Sequence, residues 1–321
     1  MHGRLLGHAD LEEARAFVPE WLRLSGRVRA SLPVIWTRLL GQSGFNADVI
    51  EDLRRPAGSR IVGLGMAIAL DERWRALMTD APPPYAPALI YEALLDGTFQ
   101  PPGDKELARL NGQGEVTFLV LHYEQTLKDL DNPDTLEQLH VGMSLFKQAH
   151  AGYRLQHLYQ EGLGDQGAYL QSMGFRARTD RATQGLPDLY GLSREEAMRL
   201  LPGTPVRDAF QFTPPRMGFS PSERRMLRLS VTQLTDEQVG DELGISAHGI
   251  KKLWRSVHQR AMDAMPQLFD DAGTSDGGTR GPERRRTLLQ YLRQHPEEMR
   301  PYLAPSDMAG KPARARRTVA G

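Results

Sequence analysis

The sequence predicts an α+β fold in two parts: a mixed strand-helix N-terminal domain, then an all-α helix-turn-helix domain. Three observations carry this expectation. Two short apolar runs of strand type lie in the first half, helical periodicity surrounds them, and three capped helix starts crowd into residues 219–260.

Taken in order, Asp10 to Leu24 and Leu32 to Leu40 show helical spacing, and Arg60 to Leu70 (RIVGLGMAIAL) reads as a buried strand. Pro87 to Leu95 is a helix closed by Gly97, and Glu115 to Tyr123 (EVTFLVLHY) is a second strand. From Thr135 to Tyr159 the residues Leu136, Leu139, Met143, Phe146, His150, Tyr153 and His157 recur at three- and four-residue steps, which predicts one long amphipathic helix. A short helix over Ala168 to Met173 stops at Gly174, and Phe175 to Thr179 follows as a strand. Ser193 and Glu196 form a capping box for a helix that runs to Leu201 and meets Pro202 and Gly203.

The chain length of 321 residues suits about two domains, and 40% hydrophobic with 25% charged residues is an ordinary globular composition. The domain plan is an α+β domain over 1–205, a Pro-containing linker over 206–218, the helix-turn-helix over 219–265, and then 266–321. That last stretch reads as a glycine-rich loop, a short basic helix from Pro282 and a disordered basic tail. The absence of cysteine excludes disulfides, thiolate metal sites and cysteine nucleophiles, and fits the cytoplasm. The longest apolar run, Ile61 to Leu70, is far short of a membrane span, so no membrane partner is expected. Net charge is zero, and the basic residues gather at the C-terminal end, including Arg284, Arg285, Arg286, Arg314, Arg316 and Arg317.

Between 219 and 260, Ser220-Pro221-Ser222-Glu223 and Thr235-Asp236-Glu237-Gln238 are capping boxes, and Ser246 caps a third helix. Gly240 permits a close helix crossing and Gly244 a sharp turn, while Val239, Leu243, Ile245, Ile250 and Leu253 point inward. His248, Lys251, Lys252, Arg255 and Gln259 are left facing outward, as side chains that reach phosphates and base edges do. At these residues the sequence resembles the LuxR-type DNA-binding domain of bacterial transcription regulators. The resemblance implies base or phosphate contacts for Lys251, Lys252 and Arg255, supported by Ser246, Ile250 and Val257. Gly249 and Trp254 depart from that pattern. Sigma-factor promoter-recognition modules share the helix pattern and are an alternative.

The expected function is therefore a sequence-specific DNA-binding regulator that is not an enzyme. It would bind double-stranded DNA as a homodimer, with an N-terminal domain that senses a small-molecule effector or dimerises. No catalytic residue, cofactor or metal is expected. Gly162-Leu163-Gly164-Asp165-Gln166-Gly167 spells GxGxxG but follows helical spacing, so a helix-terminating loop is expected. His140, His150 and His157 with Glu137 do not share one face and read as ordinary histidines.

Arg60 to Leu70, Thr117 to Tyr123 and Ala168 to Arg176 are similar to segments of GNAT-type acyltransferases, which hold a cofactor pyrophosphate on a glycine-rich turn after the fourth strand. The corresponding Glu124 to Asp131 (EQTLKDLD) is acidic and has no glycine. An acyltransferase-like enzyme with an appended DNA-binding module is the alternative reading from another functional class.

Overall fold

The computed structural model describes residues 1–232, 234–269 and 280–308. Its N-terminal part runs β1 (His2–Leu5), α1 (Leu11–Ala14), α2 (Gly26–Leu39), β2 (Phe45–Glu51), β3 (Ile61–Ala69), α3 (Glu72–Asp80), α4 (Ala86–Leu95), α5 (Asp104–Gln113) and β4 (Val116–Gln125). It continues through α6 (Pro133–His150), β5 (Leu155–Gly162), α7 (Asp165–Ser172), β6 (Arg176–Ala177), β7 (Asp188–Ser193), α8 (Arg194–Met198) and α9 (Pro205–Ala209). The strands form one seven-stranded sheet in the order β1-β2-β3-β4-β5-β7-β6. Among the described residues only the β4–β5 pair is parallel, and α6 is its crossover connection.

The two sheet faces differ in side-chain size. On β3, Leu64, Met66 and Ile68 join the core under α2, α3 and α4. The alternate residues Gly63, Gly65, Ala67 and Ala69 face the other way, as period-two alternation requires. That second face is covered by α5 to α9, with Leu107, Phe118, Leu158, Leu170 and Phe210 at its centre. A stripe of small residues leaves room between sheet and helix, and this room becomes the candidate site.

The helices α10 (Pro221–Ser230), α11 (Asp236–Leu243), α12 (Ala247–Ala264), α13 (Arg280–Gln294) and α14 (Pro305–Met308) follow. Both capping boxes and the Ser246 cap are formed. Met226, Leu227, Val239, Ile250, Val257, Leu288 and Leu292 make a separate core here. Arg285 of α13 stacks on Trp254 at 4.1 Å and pairs with Asp236 at 2.7 and 2.8 Å. These helices dock on the N-terminal part through polar contacts: Arg224 to Asp104 at 2.8 Å, Arg228 to Asn46 at 3.0 Å, and Asn111 to the Pro301 carbonyl at 2.8 Å. The stretch around Arg216 and Met217 is held in place, because the Glu298 carboxylate accepts from both backbone N–H groups at 2.9 to 3.1 Å.

Several local expectations need correction. The predicted helix over Thr135 to Tyr159 ends at His150, because Gly152 turns the chain at φ +83, and the chain then becomes β5. Tyr153 and His157 fell on the helical spacing by coincidence. The Asp10 to Leu24 pattern is broken into single turns, since Val18 before Pro19 is extended (φ −83, ψ 112). Helix α2 starts earlier than expected, capped by Ser25, and tolerates Pro33. The expected strand over Phe175 to Thr179 pairs only at Arg176 and Ala177. GxGxxG is no helix-terminating loop: β5 leads into it and α7 leaves it. Residues 270–279 and the tail from 309, where the loop and disordered basic end were expected, lie outside the described residues.

Candidate functional site

The parallel strands β4 and β5 pair from Val116–Leu155 to Val120–Gln160, and then β4 runs on to Gln125 without β5 beside it. The sheet therefore opens beyond Val120. At the same level β4 has a bulge: Met66 faces His122 and Ala67 faces Val120, so Leu121 has no partner in either register. A bulge beside an open strand edge frees backbone polar groups that a sheet otherwise consumes.

An apolar cavity of about 80 Å³ lies at this opening, between α6 and the small-residue face of β3. Val120 and Gln160 mark its strand end, Met143 and Phe146 its roof, and Asn46 and Asp48 of β2 its far end. Glycine at 142 lets the Tyr123 hydroxyl approach α6, since a Cβ there would sit 2.6 Å from that oxygen. Asp48 has no hydrogen-bond partner among the described residues, and burial pushes its carboxyl up to about 7 against the opposing pull of Arg228 and Arg300. His150, also on the wall, gives Nδ1 to the Phe146 carbonyl at 2.8 Å and leaves Nε2 unpaired among the described residues. Burial lowers its pKa to about 4, so the ring is neutral.

On the opposite face of the same opening lie two further buried groups. Glu161 of β5 accepts from the Ala86 N–H at the start of α4 at 3.1 Å, while its Oε2 has no partner among the described residues. Burial raises its pKa to about 8. His122 of β4 has both ring nitrogens unpaired and is lowered to about 3 by burial. Tyr91 lies 6.5 Å from its ring. Perturbed buried acids and bases gathered at one gap mark a candidate functional site.

The GNAT resemblance implies a cofactor pyrophosphate at the start of α6, and the residues there do not fit one. Asn132 caps the Asp134 N–H at 2.9 Å, Pro133 has no N–H, and the Thr135 and Leu136 N–H groups bind the Asn132 carbonyl at 3.0 and 3.3 Å. Asp129, Asp131 and Asp134 place three carboxylates where an anion would lie, and Lys128 is paired with Glu124 at 2.6 Å.

The residues singled out for DNA lie elsewhere. Ser246, His248, Lys251, Lys252, Arg255 and Gln259 are exposed along α12. Ser246 caps Gly249 at 3.3 Å and Gln259 binds Asp263 at 2.8 Å. Val239, Gly240 and Ile250 are buried, Leu243, Ile245 and Leu253 are partly so, and Gly244 turns at φ +65. The turn itself rests on the N-terminal part: Glu242 takes the His8 N–H at 3.3 Å and its ring Nδ1 at 2.8 Å. Leu243 and Arg225 share a crevice with Leu5, Leu6 and Gly41. The start of α12, which would enter a major groove first, thus follows a docked turn. Of the histidines weighed for metal, His150 lines the cavity and His157 stacks on Tyr159 at 5.4 Å. No metal-binding cluster occurs among the described residues.

No protein-family profile and no curated protein matches the sequence. Solved structures match over its N-terminal part. Aminoglycoside acetyltransferase AAC(6')-Ib with coenzyme A is 11% identical over 62% of this chain and 97% of that chain, with TM-score 0.32. FeeM, an N-acyl amino acid synthase from uncultured soil microbes, is 11% identical over 62% and 93%, with TM-score 0.32. The GphF GNAT-like decarboxylase with isobutyryl-CoA is 14% identical over 60% and 99%, with TM-score 0.35.

The expected function, a LuxR-type DNA-binding regulator that is not an enzyme and that binds double-stranded DNA as a homodimer, is not upheld: the solved structures similar to this chain are named as an acetyltransferase, an N-acyl amino acid synthase and a GNAT-like decarboxylase. The physical reason for the error is that an exposed basic helix face is what any amphipathic helix leaves behind once its apolar side is packed. No helix among the described residues is long and apolar enough to cross a membrane.

Proposed function

We propose that the N-terminal part is an acyl-transfer enzyme and that the C-terminal helices are an appended module. The observation that carries this reading is the opening between β4 and β5. It sets an apolar cavity on one face of the sheet, a strand residue skipped by both ladders at the gap, and a buried carboxyl of raised pKa on the other face.

Acyl transfer needs three things: a dry slot for the acyl chain, a donor aimed at the carbonyl oxygen as it gains charge, and a group to take a proton from the attacking nucleophile. The cavity under α6 supplies the slot. The backbone around Leu121 supplies the donor, because the bulge leaves it outside the ladders. Glu161 takes the proton: the acceptor's nitrogen or oxygen bonds to the carbonyl carbon, the bond to the thiol breaks, and the departing thiolate receives that proton. Glu161 works only when ionised, so the rate rises with pH through about 8.

The donor is gripped by its acyl end and not by a pyrophosphate, given the acidic start of α6. The test uses the full chain with hexanoyl N-acetylcysteamine thioester, following thiol release with water or amines as acceptors. Turnover is expected, with Glu161→Gln lowering it about 100-fold or more at unchanged thermal stability. Hexanoyl coenzyme A should bind no more tightly than the truncated thioester. A wild-type rate in Glu161→Gln, or no turnover at all, would refute the reading.

A further inference from the structure

A second cavity adjoins the far end of the one under α6. Asn46, Asp48 and Ala149 line both, and the second, of about 40 Å³, lies between the N-terminal part and the C-terminal helices. Arg228 of α10 and Arg300, after α13, line this second space. Arg300 is 5% exposed, and its Nε and Nη2 donate to the carbonyls of Ala151, Gln148 and Ala149 at the end of α6. Arg228 uses Nη2 on Asn46, and its Nε and Nη1 have no partner among the described residues. Neither arginine makes an ion pair among the described residues, and Asp48 is too far from both to form one. A buried guanidinium, Arg300, and a half-buried one, Arg228, therefore line one space without an ion pair, with a single unpaired carboxyl beside them. A buried charge such as that of Arg300 is costly unless something of opposite sign joins it.

We propose that the two adjoining cavities bind a molecule with an apolar chain ending in a carboxylate, the chain lying under α6 and the carboxylate lying against Arg228 and Arg300. A carboxylate suits a guanidinium fork, and the second space has room for such a head group but little more. In the acyl-transfer reading, on which only the identity of the carrier rests, this makes the transferred group an ω-carboxyacyl chain. Its thioester end lies at the strand opening and its free acid at the arginines.

Titration calorimetry on the full chain tests this with hexanoate, its neutral isostere hexanamide, and acetate, which has the charge without the chain. Hexanoate is expected to bind about tenfold or more tightly than either. Arg228→Gln is the informative variant, because Arg300 also caps α6 and its loss confounds binding with folding. Arg228→Gln should lower hexanoate affinity about tenfold and leave hexanamide unchanged. Above about pH 7, where the buried Asp48 carboxyl is ionised, Asp48→Asn should tighten hexanoate binding by removing the opposing charge. Equal binding of hexanoate and hexanamide, no binding of hexanoate, or wild-type hexanoate affinity in Arg228→Gln would each overturn the proposal. These outcomes are independent of turnover. Carboxylate binding without thiol release would remove the acyl-transfer reading and leave this site in place; thiol release without carboxylate selectivity would do the reverse.

Discussion

The two ends of α6 treat charge in opposite ways. At its start, Asn132, Pro133 and Asp134 consume or omit the N–H groups that usually hold an anion, and acidic residues crowd around them. At its end, Arg300 caps three carbonyls and Arg228 sits nearby. Each arrangement suits the helix dipole, which favours negative charge at the start and positive charge at the end. The lesson is that the usual anion-binding end of a helix can be closed by its own carboxylates while guanidinium groups from elsewhere in the chain gather at the opposite end. The arginines at the closing end come from the C-terminal helices, so the charge of the site is set by a different part of the chain.

The harshest way to break this contrast is Arg300→Leu. It strips the cap from the carbonyls at the end of α6 and leaves that of Ala151 without its donor, and should cost about 3 to 5 kcal/mol in urea unfolding. Gly152→Ala attacks the same end through the backbone. The residue sits at φ +83, and an added Cβ would lie 2.4 Å from the Glu297 nitrogen, so a loss of about 2 to 4 kcal/mol is expected by the same measurement.

Asp48 sharpens the comparison through pH. Burial keeps it protonated up to about 7, whereas the unfolded chain releases that proton near about 4. Its contribution to stability is complete below the unfolded pKa and is lost as pH rises to about 7. Asp48→Asn should therefore raise the melting temperature at about pH 8, worth about 1 to 3 kcal/mol, and leave it nearly unchanged at about pH 4. At the other end of α6, Asp134→Ala removes only a favourable dipole contact and an exposed pairing with Arg54, and should cost about 0.3 to 1 kcal/mol in a thermal melt.

The parts of the fold that the sequence disclosed are those whose signals are local. β3 and β4 are unbroken apolar runs, α4 ends at Gly97, and Ser193, Ser220 and Thr235 form the caps their spacing implies. β2 was missed because its buried face carries Asn46 and Asp48, whose polarity hides the alternation. β7 was missed because Gly191 interrupts a six-residue strand. Gly152 was the overlooked stop signal that would have separated α6 from β5. The candidate site was hardly legible at all: Asp48 and Glu161 are single acids in strands, and only the sheet register places one at the far end of the cavity and the other across the opening. Conversely, Lys251, Lys252 and Arg255 stood out because they are basic and periodic, which reports an exposed helix face and nothing about what meets it.

The bonds from Arg300 to the carbonyls of Gln148, Ala149 and Ala151, answered by the bond from Asn111 to the Pro301 carbonyl, have a thermodynamic consequence. Each part of the chain finishes the hydrogen bonding of the other's margin, so neither can melt first without stranding polar groups in the one that remains. The two parts would then unfold in a single cooperative transition, and a chain cut near residue 212 would lose stability in its N-terminal piece even though every residue that packs there was still present.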